Sequence, residues 1–325
     1  MTNKFIKSYA ISLILIITVG AVLLYKLLPD PVKPPVAKED PLAWYPPSIY
    51  SLVNSPESNL VLYGRELILH TSKYFGPKGS IAKIANGMNC GNCHLEAGAR
   101  PYGNAFAAVA ANYPKFRNRS GKVESVEFRV NDCFERSLNG KAIDSMSREM
   151  QAMVAYIKWV GKDVQKNIAP KNSGVPKIEI LNRAADAVNG RQVYVSKCLS
   201  CHGENGQGLL NADATEYTYP PLWGQSSYNV SAGLYRISSL AGFVKYNMPY
   251  TTTQTEPQLS DEDVWDVSAY ICAQKRPEKF FTQDWPKIET KPFDHPFGPF
   301  ADTLSEARHK YGPFNFAKNK NKANK

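Results

Sequence analysis

The sequence has little net charge away from its two ends, and this narrows the choice of partner. Lysine and arginine exceed aspartate and glutamate, 39 residues against 29, but four of the lysines lie in an acid-free tail at 318–325 and three others flank an apolar run near the N-terminus. No basic stripe with a nucleic-acid-binding motif remains between them, so we expect no nucleic-acid partner. Charged residues make up only 21% and apolar residues 43%, a balance that excludes disorder for most of the chain.

Histidine is also scarce, with five residues in the chain. Three of them, His70, His295 and His309, stand alone in the sequence, and a solitary histidine is weak evidence for a redox role. The other two, His94 and His202, each follow a Cys-x-x-Cys pair. Among the five histidines, only His94 and His202 therefore indicate a candidate functional site.

Residues 1–28 predict an export segment. Lys4 and Lys7 precede an uncharged run rich in Ile, Leu and Val that ends at Lys26, and this run is near the lower limit for spanning a bilayer. No cysteine follows it, which excludes a lipoprotein, and no convincing small-x-small cleavage site is present. We favour an uncleaved anchor helix over a cleaved signal peptide, with the first lysines on the cytoplasmic side. Either choice predicts a periplasmic protein, and the first attaches it to the cytoplasmic membrane.

Two Cys-x-x-Cys-His motifs predict two covalently bound haem c groups. Two thiols three positions apart can each add to one vinyl group of a porphyrin, and the next residue's imidazole then lies beneath the iron. Disulfides or a zinc site are the alternatives, but zinc needs a fourth ligand and usually has pairs of ligands closer in sequence. The thioether bonds would come from Cys90, Cys93, Cys198 and Cys201, and the proximal iron ligands would be His94 and His202.

An internal repeat places one motif in each of two domains. Gly64-Arg65-Glu66 and Gly190-Arg191-Gln192 precede the two motifs, while Ala155-Tyr156-Ile157 and Ala269-Tyr270-Ile271 end helices that follow them. This order, occurring twice, resembles two tandem class I cytochrome c domains, a mainly α fold. The predicted segments are a signal peptide or anchor helix (1–28), a proline-rich tether (29–47), the first domain (48–166), a linker (167–177), the second domain (178–276) and an irregular wrapping extension with a basic tail (277–325).

The two domains differ where the second axial ligand of the iron is expected. A class I cytochrome usually places a methionine in the loop before its last helix, and Met248-Pro249 has this pattern because proline favours an extended conformation at Met248. Ala269 lies 21 residues after Met248, and Cys133 lies 22 residues before Ala155. Cys133 therefore occupies the position at which the repeat expects the methionine.

Local sequence predicts a fixed place for Cys133. Asp132 and Glu135 form a D-x-x-E pattern, which predicts that Cys133 opens a short helix that stops near Gly140. The alternative is a buried free cysteine that only packs, and this is our interpretation of Cys272. We favour Cys133 as an iron ligand because of its position in the repeat.

The ligand types predict different roles for the two haems. A thiolate stabilises ferric iron and lowers its potential, whereas methionine raises it. The first haem would then be a reactive low-potential centre and the second an electron relay. A cysteine that leaves the iron can also exchange with S–S bonds, which suits a site for sulfur compounds.

Arginine is frequent around Cys133. Guanidinium groups bind sulfonate-like oxygens as they bind phosphate, so we expect two or three of these residues to face a sulfur oxyanion. The alternative is that several balance nearby glutamates or bind haem propionates. The arginines are Arg100, Arg117, Arg119, Arg129 and Arg136.

Several of these patterns together resemble the dihaem thiosulfate dehydrogenase/tetrathionate reductase family. They are the run from Arg129 to Lys141, the haem motifs, Asn247-Met248-Pro249, and the tail segments 294–299 and 310–314, so the resemblance spans roughly residues 41–316. Members couple two thiosulfates into tetrathionate with release of two electrons, or run the reaction in reverse. Some have a lysine beside the methionine as an alternative ligand. This chain has Asn247 there, so His/Met ligation is expected in both redox states.

The resemblance implies a role for each candidate residue. His94 and Cys133 would ligate the active-site iron, and His202 with Met248 the relay iron. Arg119 and Arg129 stand where the family holds the sulfur anion, and Arg100 is the third candidate arginine. Cys133 would form a transient S–S bond with thiosulfate, and a soluble periplasmic cytochrome c would exchange the electrons. The alternatives are a non-enzymatic dihaem electron carrier with two His/Met haems and a dihaem peroxidase with a five-coordinate iron.

Overall fold

The computed structural model describes residues 43–316 of the chain. The predicted signal or anchor helix, most of the tether and the basic tail lie outside the described residues. Among the helices of residues 43–316, none has both the length and the apolar character needed to cross a bilayer. The described part is mainly helical, as the sequence predicts.

The helices fall into two sets, one around each haem motif. The first set is α1 (Pro56–Leu69), α2 (Thr71–Phe75), α3 (Leu95–Gly98), α4 (Ala107–Asn112), α5 (Val126–Arg136) and α6 (Arg148–Val160). The second is α7 (Ala187–Lys197), α8 (Leu199–His202), α9 (Ile237–Asn247) and α10 (Asp261–Ala273), with α11 (Glu306–Tyr311) in the extension. Short 3-10 turns lie at Ile49–Ser51, Cys90–Asn92, Gly233–Tyr235 and Ile288–Thr290. Two antiparallel hairpins pair β1 (Lys115–Arg117) with β2 (Lys122–Glu124) and β3 (Leu209–Leu210) with β4 (Tyr217–Tyr219).

Side-chain caps begin the helices that build the two cores. The Ser55 hydroxyl accepts a hydrogen bond from the Ser58 N–H at 3.2 Å, and Pro56 is the first residue of α1. Ser260 caps α10 in the same way, and the acidic residues of the first turn stabilise this end through the helix dipole. Serine is a preferred residue at this position, and Ser55 and Ser260 both form the cap.

The first core lies where α1 crosses α6. A Cβ atom on Gly64 would collide with the carbonyl oxygen of Ala152. The missing side chain therefore lets the two helix backbones touch. Leu67, Met150 and Val160 are completely buried in the core formed around these helices.

The second core repeats this crossing between α7 and α10. A Cβ atom on Gly190 would collide with the carbonyl oxygen of Asp266, and Tyr194 and Trp265 are buried in the core beside the crossing. Ala152 and Asp266 each lie three residues before the Ala-Tyr-Ile triplets that the sequence treats as equivalent. Each copy of the internal repeat therefore contains the same crossing of two helices. Glycine is required there because the two helix backbones approach too closely for a side chain.

Polar contacts join the two halves. The Asn86 side chain donates to the Ser227 carbonyl at 2.9 Å, and the Asn247 side chain donates to the Tyr102 carbonyl at 3.2 Å. His70, a solitary histidine in the sequence, lies 2.9 Å from a carboxylate oxygen of Glu216 through its Nδ1 atom. These contacts hold both haem motifs in one compact unit that contains the described residues.

Parts of the predicted tether and linker pack on the first half. Trp44 is buried, its backbone N–H donates to the side-chain oxygen of Asn172 at 2.9 Å, and the Asn172 side-chain amide donates back to the Trp44 carbonyl at 2.7 Å. Trp44 lies in the predicted tether and Asn172 in the predicted linker, so both segments contribute packed residues. The domain boundaries stay a prediction.

The C-terminal extension contacts both halves. Phe314 is buried and its ring centroid lies 5.6 Å from that of Trp265 in the second core. On the first half, the backbone N–H of Trp285 donates to the Arg119 carbonyl at 2.6 Å. Phe280 is 56% exposed, so the aromatic residues of the extension are not all buried.

Candidate active site

A cavity of about 300 Å³ lies inside the first half, between its haem motif and α5. Cys90, Cys93 and His94 line it together with Cys133. Most of the other walls are apolar: Ile68, Met88, Phe106, Val109, Val126, Val130, Leu138, Met153 and Ile157.

The His94 imidazole is oriented for an axial ligand. Its Nδ1 atom donates to the Asn104 carbonyl at 2.7 Å, which leaves the lone pair of Nε2 free for a metal. Burial lowers the pKa of His94 to about 4, so the ring is neutral at physiological pH. Phe106 packs against the ring with centroids 4.5 Å apart. Paired cysteines, a neutral oriented imidazole and apolar walls fit a covalently bound haem at this place.

Cys133 reaches the cavity from the second half of α5, not from the start of a helix. The true cap is Ser125, whose hydroxyl accepts from the Phe128 N–H at 3.2 Å, with Glu127 in the first turn and Arg136 in the last. The predicted capping role of Asp132 and Glu135 is therefore wrong. A D-x-x-E pattern can cap a helix only where the backbone donors are unpaired, and at Asp132 the helix has already formed.

Arg129 contacts the sulfur of Cys133. Its Nη1 atom lies 3.3 Å from Cys133 Sγ and donates to it. The negative charge of the Cys133 thiolate raises the pKa of Arg129. Arg129 therefore stabilises the anionic form of the sulfur, which is both the iron-ligating and the nucleophilic form.

Asp132 binds three arginines behind this contact. Arg129 lies 2.7 Å from its Oδ2 atom and Arg119 lies 3.6 Å away. The Nε atom of Arg136 also bonds to it. Burial acts to raise the pKa of Asp132, but the three guanidinium charges outweigh burial and lower it. Asp132 is thus an anionic residue that fixes the directions of the surrounding arginines.

Arg136 connects this cluster to the C-terminal extension. It is buried, and its two terminal nitrogens donate to the two carboxylate oxygens of Asp284 at 2.7 and 2.8 Å. The Phe281 ring centroid lies 3.8 Å from its guanidinium carbon. Sequence reasoning missed Asp284, because it follows Arg136 by 148 positions and carries no motif.

The three candidate arginines are in three different places. Arg129 lines the cavity. Arg119 lies behind it against Asp132, with its guanidinium carbon 5.7 Å from the Trp285 ring centroid, and burial lowers its pKa to about 10. Arg100 lies at the contact with the second half, where it donates to the Thr252 carbonyl at 3.0 Å. Their catalytic roles stay predictions.

Two further cations line the cavity. Lys115 and Arg117 come from β1, the first strand of the small hairpin that precedes α5. Arg117 is part of the arginine-rich run recognised in the sequence, whereas Lys115 was missed. The alternation of side chains in a strand places these two residues on the same face of the hairpin, and this was the available signal.

The second haem motif has the same imidazole geometry. The Nδ1 atom of His202 donates to the Pro220 carbonyl at 2.8 Å, and burial lowers the pKa of the ring. Met248 follows α9 directly with an extended backbone, φ −132° and ψ 142°, as predicted from Pro249. Cys133 and Met248 therefore come from the ends of equivalent helices, with Cys133 inside its helix and Met248 just past it. Within residues 43–316, no cluster of three or more His, Cys, Asp or Glu side chains could hold a zinc ion.

Two helix–haem motif–helix units with identically oriented imidazoles define a dihaem cytochrome c. The SoxA/TsdA cytochrome c domain model matches residues 81–165, and the cytochrome c model matches residues 187–275. Thiosulfate dehydrogenase of Allochromatium vinosum is 37% identical over 198 residues, which are 60% of this chain and 72% of that protein. The enzyme of Stutzerimonas stutzeri is 34% identical over 72% of this chain and 73% of its own length.

A solved structure agrees with these relatives. Thiosulfate dehydrogenase (TsdBA) from Marichromatium purpuratum superimposes with a TM-score of 0.68 at 28% identity over 80% of this chain. The match spans about half of that longer chain, 54% of its length. The chain belongs to the thiosulfate dehydrogenase family, and its two domains carry two covalently bound haem c groups. Family membership makes it an enzyme and disfavours the non-enzymatic carrier.

Proposed function

We propose that this enzyme interconverts thiosulfate and tetrathionate at Cys133, with the first haem as the active-site centre and the second as the electron relay. The observation that carries the proposal is the placement of the Cys133 sulfur in the His94 cavity with a guanidinium donor at 3.3 Å. An electron carrier needs neither a cysteine nor arginines at this place. His94 and Cys133 are the proposed ligands of the first iron, and His202 and Met248 those of the second.

The charges around the cavity fit a sulfur oxyanion. Lys115, Arg117 and Arg129 line it, and the neighbouring carboxylate, Asp132, is occupied by ion pairs to Arg129 and Arg136. A thiosulfate dianion entering the cavity therefore meets cations with few competing anions. We infer that its sulfonate oxygens bind to these cations while its outer sulfur points toward Cys133 Sγ.

The proposed sulfur chemistry has two steps. In the first, the Cys133 thiolate and the outer sulfur of thiosulfate form an S–S bond, giving a cysteine S-thiosulfonate and releasing two electrons. In the second, the outer sulfur of another thiosulfate attacks the substrate-derived sulfur of that bond, the Cys133 thiolate leaves, and tetrathionate is released. The two haems, when bound, would supply one-electron chemistry, so the two electrons would leave the sulfur site singly. The reverse sequence reduces tetrathionate.

Arg129 assists both steps because it stabilises the Cys133 thiolate as nucleophile and as leaving group. Its N–H to Cys133 Sγ contact is held by the 2.7 Å ion pair with Asp132. A thiolate that accepts this hydrogen bond leaves more readily in the second step. Asp132 therefore acts as a positioning residue.

Replacing Cys133 by serine tests the proposal. We expect Cys133→Ser to lower thiosulfate-dependent reduction of an electron acceptor by about 10³-fold or more, because the hydroxyl cannot form the S–S bond. Cys272→Ser is the matched control, since Cys272 lies in the second core and its thiol only donates to the Tyr235 carbonyl. Haem content is measured for both variants. Wild-type turnover in haem-loaded Cys133→Ser protein would refute the cysteine chemistry.

The arginines are compared in the same assay. We expect Arg129→Gln to have the largest effect on turnover, Arg119→Gln a smaller one and Arg100→Gln the smallest, because only Arg129 contacts the sulfur. All three should keep the absorption spectra of both haems. Equal effects would show that the contact with Cys133 is not what matters.

The cellular setting is also a proposal. We propose an exported protein held at the periplasmic face of the cytoplasmic membrane by residues 1–28, exchanging electrons with a small soluble cytochrome c. The uncharged run between Lys7 and Lys26 supports it. Membrane fractionation and N-terminal sequencing of the mature protein distinguish the anchor from a cleaved signal peptide.

A further inference from the structure

Arg276, just past the end of α10, has a buried guanidinium group that is only partly paired. The residue is 6% exposed. Its Nη2 atom donates to the Ile271 carbonyl at 2.8 Å. Its Nε and Nη1 atoms have no hydrogen-bond partner among the described residues. No aspartate or glutamate of the described residues forms an ion pair with it. A buried cation without an anion is costly, so this arrangement points to a missing acidic group.

Tyr228 lies beside this guanidinium group and is unpaired as well. It is 4% exposed, and its hydroxyl has no partner among the described residues. The Arg276 guanidinium carbon lies 4.3 Å from the Tyr228 ring centroid and 4.8 Å from that of Tyr235. The two aromatic faces hold the guanidinium plane in a fixed direction. The free donors are therefore two guanidinium nitrogens and one phenol, and all of them are suited to a carboxylate.

These donors lie between the two domains. The neighbouring Asn229 N–H donates to the Arg136 carbonyl of the first half at 3.1 Å. On the other side, the Val230 N–H donates to the Pro277 carbonyl at 3.1 Å. Burial raises the pKa of the Tyr228 hydroxyl, and the adjacent Arg276 guanidinium opposes this shift. Tyr228 itself belongs to the second core. The donors thus lie where the halves that carry the two haem motifs meet.

We propose that Arg276 and Tyr228 bind a haem propionate carboxylate at the domain interface. The protein carries two haem c groups, each of which brings propionate carboxylates that must find donors when buried. One such carboxylate can accept from an unpaired guanidinium nitrogen of Arg276 and from the adjacent phenol, which gives both side chains a partner. The carboxylate can come from either haem, since Tyr228 belongs to the second core while the adjacent Asn229 N–H donates to the Arg136 carbonyl of the first half. The inference depends on the two haems and not on the proposed sulfur chemistry.

Such a site controls the reduction potential of one haem. An unneutralised carboxylate beside a porphyrin stabilises ferric iron, and a paired guanidinium cancels that effect. Arg276 therefore raises the potential of the haem whose propionate it binds. Because the protein passes electrons between two haems, this shift changes the driving force between them.

The test is a redox titration of the holoprotein, followed by the absorption of each haem. We expect Arg276→Met to lower the potential of one haem and leave the other within the error of the wild type. Arg276→Lys should restore most of the shift, because it restores the charge, and Tyr228→Phe should give a smaller fall. Arg191→Met is the matched control, since it removes an exposed guanidinium of the same domain and should change neither potential. Cys133→Ala and Met248→Ala identify which potential belongs to which haem.

The outcomes separate the two sources of the carboxylate. A fall confined to the haem that Met248→Ala also affects assigns the propionate to the second haem, and a fall confined to the other assigns it to the first. Potentials equal to those of Arg191→Met in both Arg276→Met and Tyr228→Phe would overturn the proposal. A shift seen only when thiosulfate or sulfate is added would also overturn it, because the site would then bind a free anion. If Arg276→Met does not incorporate haem, Tyr228→Phe alone decides by the same criterion.

Discussion

Asp284 reaches the Cys133 cluster from the C-terminal extension, and its replacement by asparagine should weaken both the fold and substrate binding. Arg136 donates two hydrogen bonds to this carboxylate, and the two side chains are only 7% and 15% exposed. Removing one partner of a buried ion pair costs about 3–5 kcal/mol. Arg136 keeps its bond to Asp132, and asparagine keeps one acceptor, so we expect about 2–3 kcal/mol in the free energy of unfolding. This corresponds to a fall of about 5–10 °C in melting temperature.

The effect on catalysis follows from the chain of ion pairs. Without the Asp284 carboxylate, Arg136 keeps an ion pair with Asp132 only. The ion pairs of Asp132 with Arg119 and Arg129 then change as well, because all three arginines compete for this one carboxylate. Arg129 is the residue that contacts Cys133 Sγ, so the proposed anion site would lose its fixed geometry. We expect the KM for thiosulfate to rise by about tenfold, the equivalent of about 1.4 kcal/mol, with a smaller fall in kcat.

Asp266→Asn is the matched control for this variant. Asp266 also forms a two-bond ion pair, with Arg183 at 2.8 and 2.9 Å, but it lies at the α7–α10 crossing in the second half. It should lower the melting temperature without changing the KM. Thermal unfolding and steady-state kinetics are measured on both haem-loaded variants. If Asp284→Asn changes the KM no more than Asp266→Asn does, the extension does not position the arginines and the reasoning fails.

Two further predictions concern the fold. Burial lowers the pKa of His295 to about 3, so the unfolded chain takes up a proton between this value and about 6.5 that the folded chain does not. Stability should therefore fall as the pH drops below about 6.5, by about 1.4 kcal/mol per pH unit. Urea unfolding at several pH values should show that the free energy of unfolding depends less on pH in His295→Gln than in the wild type. An unchanged pH dependence would contradict the prediction. Gly190→Ala should destabilise the protein by about 1–3 kcal/mol because its Cβ would meet the Asp266 carbonyl. Gly233→Ala, where no atom lies within 4 Å of the added Cβ, is the control, and equal stabilities would refute the close-approach argument.

Much of the fold follows from signals that are local in sequence. The hydroxyl groups of Ser55 and Ser260 cap their helices by accepting from the backbone N–H three residues later, so each cap needs only a four-residue segment. Each haem motif likewise depends only on the spacing of two cysteines and one histidine within five consecutive residues. The repeat of Gly64 and Gly190 is visible in the sequence, whereas its cause, contact with Ala152 and Asp266, becomes visible only when the helices are seen to cross.

The candidate site was predicted only in part. The repeat count placed Cys133 in the haem cavity, although the local D-x-x-E pattern was interpreted wrongly, because a carboxylate in the middle of a formed helix binds arginines instead of backbone donors. Among the candidate arginines, Arg129 lines the cavity while Arg100 bonds to the Thr252 carbonyl on the second half. Proximity in sequence to Cys133 favours Arg129 over Arg100, but it equally favours Arg136, which pairs with Asp132 and Asp284.

The sequence by itself determines that the chain carries two covalently bound haems in two helical units, since thioether attachment and helix capping need only neighbouring residues. The tertiary structure alone decides which charges meet. It brings Asp284 to Arg136, leaves Arg276 without an acidic partner among residues 43–316, and sets Arg129 on the sulfur of Cys133. The physical reason is that Coulomb and hydrogen-bond energies depend on distances of a few ångströms between side chains, and those distances arise only after the helices and the extension have packed.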